Sequence, residues 1–67
     1  MILYVARNVD GSLSLFTKFP YRDTNCKRWI CPIGGAYFNI DYIVDNTFDN
    51  LTWEDSPIRV ILKKSEI

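Results

Sequence analysis

Sixty-seven residues, 48% hydrophobic and 15% aromatic, describe one small domain with enough apolar mass for a core. Eight basic side chains balance eight acidic ones, and the pI is near 6.1, so no global charge draws the chain to nucleic acid or to an anionic membrane. With no histidine, two cysteines and three glycines, the chain cannot build a self-contained zinc centre, a glycine-rich phosphate loop or the usual histidine acid–base machinery.

Residues 2–7 are apolar, β-branched or aromatic and predict a strand. Asn8-Val9-Asp10-Gly11 is a turn signal, with aspartate to cap and glycine to take the left-handed position. Residues 12–17 alternate: Leu13, Leu15 and Thr17 on one side, Ser12, Ser14 and Phe16 on the other. A hairpin of 2–7 with 12–17 follows, and it needs more structure to cover its apolar face. Phe19-Pro20 ends the second strand, and residues 21–27 read as a polar loop. Residues 28–31 predict a short third strand, closed by Pro32 and Gly34-Gly35.

Residues 36–44 read as a fourth extended segment, with Tyr37, Asn39 and Asp41 facing one way and Phe38, Ile40 and Tyr42 the other. A helix competes over 40–51, where Ile40, Val44, Phe48 and Leu51 share a face. The aspartates at 41, 45 and 49 oppose it as like charges at i, i+4. A strand to about 43 and a short helical or 3-10 turn over 46–51 fit better. Pro57 then launches a last strand over 57–63. The expected fold is mainly β: a small antiparallel sheet of four to five strands, curled or half-barrel, with one short helical turn.

Charge is segregated along the chain. Residues 1–40 hold five basic side chains against two acidic, and residues 41–55 hold five acidic and no basic. The acidic stretch either lies beside the basic strands or forms an acidic face for a basic partner. Asp45, Asp49, Trp53, Glu54 and Asp55 are the candidate interface, with Trp53 as anchor or as a lid on the core. Thr52 followed three residues later by Asp55 has the spacing of a cap.

Lys27, Arg28 and Trp29 are the candidate face for single-stranded nucleic acid, since cations beside an aromatic can hold phosphate and stack a base. Trp29 in a strand also suits a core. Cys26 and Cys31 supply half a zinc site and would need a second chain to complete it; a bridge between them would close a very short loop. Lys27 and Arg28 beside Cys26 would favour its thiolate. No cofactor and no metal are expected, and no enzyme activity.

The stretch Tyr4-Val-Ala-Arg7, with Asp10-Gly-Ser-Leu13, Leu15-Phe16 and Pro20, resembles the opening of a family of small uncharacterised proteins from gut anaerobic bacteria and their phages. Phe48 through Leu51-Thr-Trp-Glu-Asp55 and Pro57 resembles that family's close, where those proteins commonly carry proline at the place of Asp49. About half the chain is covered. The resemblance implies a small cytoplasmic protein of host or phage and supplies no active site.

The leading expectation is a protein-interaction module, such as a phage-encoded regulator, inhibitor or accessory protein. It would bind an unidentified protein or a second copy through an edge strand, either 57–63 or 2–7. Nucleic-acid binding is the alternative. No signal peptide or membrane span is visible, so a cytoplasmic location with reduced thiols is expected.

Overall fold

A computed structural model describes residues 1–41 and 47–61. Among these residues six strands follow in order: β1 (Ile2–Arg7), β2 (Leu13–Phe16), β3 (Tyr21–Asp23), β4 (Arg28–Ile30), β5 (Tyr37–Asn39) and β6 (Ile58–Ile61). The chain first reverses at Asn8-Val9-Asp10-Gly11. Gly11 sits at φ 92°, a backbone region that costs glycine little. Its N–H donates to the Asn8 carbonyl, and the Asp10 carboxylate accepts from the Ser12 N–H and hydroxyl. The turn sets β1 against β2 with Tyr4 opposite Phe16 and Ala6 opposite Ser14.

The main sheet is antiparallel with strand order β5-β2-β1-β6, and a separate ribbon pairs β3 with β4. The class is mainly β, as expected, and the sheet is open rather than closed. Among the described residues there is no helix: residues 47–50 form turns, and position 46 of the expected helical turn lies outside the described residues. The expected strands shorten to Leu13–Phe16, Tyr37–Asn39 and Ile58–Ile61; residues 42–44 and 62–63 of those expectations also lie outside the described residues.

One expectation fails outright. Residues 21–27, read as a polar loop, contain β3, with Arg22 opposite Trp29. Tyr21 and Arg22 are exposed and Asp23 only half-buried, so no apolar alternation marks this strand. Its existence depends on its partner, since a two-stranded ribbon gains stability by packing on other structure. The ribbon turns on Lys27, a non-glycine residue at φ 58°, while the Asp23 carboxylate accepts from the N–H groups of Asn25 and Cys26.

Both faces of the sheet are covered, which explains why β1 and β2 are buried on both sides. On one face Val5, Leu13, Ile40 and Leu51 form a core, with Leu15, Phe48 and Val60 against it. On the other, Ala6, Phe16 and Trp29 form a second core with Tyr4, Cys31 and Trp53 packed around it. Burial of such side chains is the main favourable term in folding, about 25 cal/mol per Å² of apolar surface.

Two polar side chains tie these layers together. The Arg7 guanidinium donates to the carbonyls of Gly11, Phe48 and Leu51. Buried Asn8 donates through Nδ2 to the Ser12 and Ser14 hydroxyls, and its Oδ1 accepts from the Trp29 N–H.

Candidate functional site

The ribbon carries the candidate nucleic-acid residues Lys27, Arg28 and Trp29. Lys27 and Arg28 are exposed, but Trp29 is 7% exposed. Its ring meets Trp53 edge-on at 5.7 Å, and its Nε1 donates to the Arg7 carbonyl. Stacking a nucleobase needs an open aromatic face, and the Trp29 ring is spent on the core. Arg22 lies over both indoles, 4.8 Å from the Trp29 ring and 5.1 Å from Trp53. It also donates to the carbonyls of Trp53 and Asp55. This cation clamps the ribbon to the acidic turn by main-chain contacts and cation–π attraction.

The acidic candidates are only partly brought together. Trp53 is half-buried between Trp29 and Arg22, the position of a lid rather than a free anchor. Asp55 accepts through Oδ2 from the Thr52 N–H and hydroxyl, so the cap spacing read in the sequence forms a turn. Glu54 and Asp49 are exposed, and Asp45 lies outside the described residues.

Cys26 and Cys31 are both free thiols. Cys26 sits in the turn of the ribbon and Cys31 beyond the end of β4. About 10 Å of strand lies between them, beyond the reach of a disulfide. The expected thiolate at Cys26 is corrected. A hydrogen bond from the thiol to Asp23, and that carboxylate's charge, push the thiol above its ordinary value of 9.0, outweighing the opposing pull of Arg28. Among the described residues, no group of three or more cysteine, aspartate or glutamate side chains is placed to hold a metal ion, and no helix is long and apolar enough to cross a membrane.

The free edges of the sheet tell more. Residues 2–7, considered as an edge, form a central strand between β2 and β6. Among the described residues, β6, within 57–63, is an edge as expected, and β5 is the other. In an antiparallel ladder, residues alternate between those that bond the neighbour and those that bond outward. The Thr17 N–H donates to the Ala36 carbonyl and the Ile40 N–H to the Leu13 carbonyl. These bonds place Phe38 opposite Leu15 in a hydrogen-bonded pair. The N–H and C=O groups of Tyr37 and Asn39 therefore point outward, away from β2.

This edge is also apolar. Tyr37 is 59% and Phe38 56% exposed, and all three β5 residues face solvent. No charged residue lies between Gly35 and Ile40. The ladder ends cleanly because the Asp41 carboxylate accepts from the Leu13 N–H, where the next strand carbonyl would have been. The sequence showed the alternation of Tyr37 and Phe38 but not that their strand lies at the margin of the sheet.

Comparison with family models, with curated proteins and with solved structures finds no match for this chain.

Proposed function

We propose that this chain is a small protein-interaction module that works by binding rather than by chemistry, with the β5 edge as its docking line. The observation that carries this reading is the combination at Tyr37-Phe38-Asn39: outward main-chain donors and acceptors flanked by exposed aromatic side chains without charge. Added strands gain affinity from main-chain bonds and specificity from alternate side chains. Natural sheets usually protect such edges with charges, proline or a covering loop. The opposite edge, β6, carries exposed Arg59, as a guarded edge would.

A module of this kind suits a regulator, inhibitor or accessory protein, and the resemblance read in the sequence favours a cytoplasmic protein of a bacterium or its phage. The acidic residues Asp49 and Glu54 belong to this proposal as charges that select among partners.

Panning a random-peptide library against the immobilised protein tests it. Extended apolar peptides should be recovered, and they should lose binding at least tenfold to a Phe38→Lys variant. Recovery of no binder, or of binders indifferent to Phe38→Lys, sinks the docking line at β5.

A further inference from the structure

We infer that the β5 edge docks a second copy of itself, forming a two-fold dimer in which the sheets of the two copies run on as one. The inference rests on the reading of β5 as a docking line and names its occupant. Three observations lead to a second copy rather than an arbitrary strand.

The first is register. Because Tyr37 and Asn39 carry the outward groups, an antiparallel partner must bond at those two positions. In a copy related by a two-fold axis, Tyr37 then faces the other Asn39, and Asn39 the other Tyr37. Both pairs exchange N–H and C=O bonds. Phe38 falls on the axis opposite its own copy, in the non-hydrogen-bonded position where side chains approach most closely. Aromatic pairs are favoured there. The two Phe38 rings lie on the sheet face that holds Leu15, which is opposite Phe38 in the β2 ladder. Tyr37, tilted against Phe16 at 6.1 Å on the other face, meets the polar Asn39 side chain of the copy.

The second is charge. Lys18 lies along Gly34 and Gly35 at one end of β5, its ammonium 3.5 Å from the Ile33 carbonyl. Asp41 stands at the other end. Antiparallel pairing brings the cationic end of each copy alongside the acidic end of its partner, and the symmetry repeats the match. Nothing between the ends is charged, so no like charges are opposed.

The third is the contrast with β6. Its outward residues include Arg59. A β5 strand docked on β6 of the next molecule would leave a β5 and a β6 open at the two ends, so that assembly would not close. Pairing β5 with β5 uses up one edge on each copy and closes. The edge is short, which places the contact at the weak end of specific interfaces, with dissociation on the order of 10 µM to 1 mM.

Sedimentation equilibrium over that range is the primary test. The wild-type mass should rise from monomer toward twice that value, and Phe38→Lys should remain monomeric while keeping the wild-type circular-dichroism spectrum. A monomer up to about 1 mM, a dimer indifferent to Phe38→Lys, or assemblies larger than a dimer would each overturn the inference.

Register is tested separately by mild oxidation. In a background of Cys26→Ser and Cys31→Ala, Phe38→Cys should cross-link to its copy about tenfold faster than Tyr37→Cys, because only the axial pair has Cα atoms in bridging range, about 4.5 Å against 7–8 Å for the diagonal neighbours. Equal rates overturn the axial register. If the protein stays monomeric yet binds panned peptides through Phe38, the docking line stands and self-pairing falls. If neither is seen, both fall.

Discussion

The side-chain oxygen of Asn8 accepts a 2.8 Å hydrogen bond from the backbone N–H of Trp29, 21 residues away. The same side chain donates to Ser12 and Ser14. One buried amide therefore links the first hairpin to the ribbon above it, and it orients Trp29 so that the indole enters the second core. Asn8→Ala leaves a buried N–H without a partner, which costs about 1–3 kcal/mol. Urea denaturation should show a lower midpoint with little change in slope, and an unchanged midpoint would count against this role.

Arg7 gathers three carbonyls, that of Gly11 in the adjoining turn and those of Phe48 and Leu51 in one distant segment. Lysine carries the charge but lacks the planar fork that serves several acceptors at once. Arg7→Lys should lower stability by about 1–3 kcal/mol, the scale of one lost hydrogen bond to a charged group. The loss should fall mainly on the closure of residues 47–51 over the first core. Hydrogen exchange of the Leu51 amide, which donates to the Phe48 carbonyl, should quicken in the variant; protection equal to wild type would refute this.

Gly35 sits where a methyl group would meet the Cys31 sulfur at 2.7 Å, with the Lys18 and Thr17 side chains at 3.2 Å. Gly35→Ala should destabilise by about 1–3 kcal/mol through overpacking. Adding Cys31→Ala makes room and should recover at least half of that loss. A double variant no better than the single one would place the strain elsewhere.

The Asp23 carboxylate holds the Cys26 thiol protonated. Asp23→Asn keeps an acceptor for the turn and removes the charge. Alkylation of Cys26 near pH 8 should therefore speed up several-fold in the variant, since the thiolate is the reactive form. Identical rates would show that the carboxylate does not control this thiol.

Asp10 and Asp23 are both lowered below their ordinary value of 3.8, Asp10 chiefly by the Ser12 hydroxyl and Asp23 chiefly by the Cys26 N–H. For such groups the unfolded chain binds protons first as pH falls. Their stabilisation is therefore complete above about pH 5 and lost as pH drops through 3.8 and below. Asp10 is exposed and Asp23 only half-buried, so solvent screening keeps the effect modest. Asp10→Asn should flatten the acid limb of a stability–pH profile, and an unchanged limb would reject the assignment.

The hairpin was legible because Asp10 and Gly11 carry turn chemistry within four residues, and strong local chemistry needs no tertiary help. The strand at 28–31 and the last strand were legible from β-branched and aromatic runs bounded by proline and glycine. β3 was hidden because Tyr21 and Arg22 face water, and hydrophobic alternation records burial, not pairing. Strand order was hidden for a related reason. Nothing in residues 2–7 says that both sides of β1 are occupied, whereas the three residues of β5 look no less interior than β2. An exposed-aromatic argument makes Trp53 an interface anchor, yet Arg22, from a segment that reads as loop, covers that ring.

The position of β1 between β2 and β6 has a kinetic consequence. Its pairing with β2 closes a loop of a few residues, but its pairing with β6 brings Ile2 beside Ile61, nearly the whole chain away. Arg7 adds bonds to Phe48 and Leu51 across 41 and 44 residues. Contacts this distant must overcome loop-closure entropy before they contribute, so folding should be slow for so small a chain, in milliseconds to seconds. The hairpin would then belong to the transition state, while β6 locks on the downhill side and governs how fast the native protein comes apart.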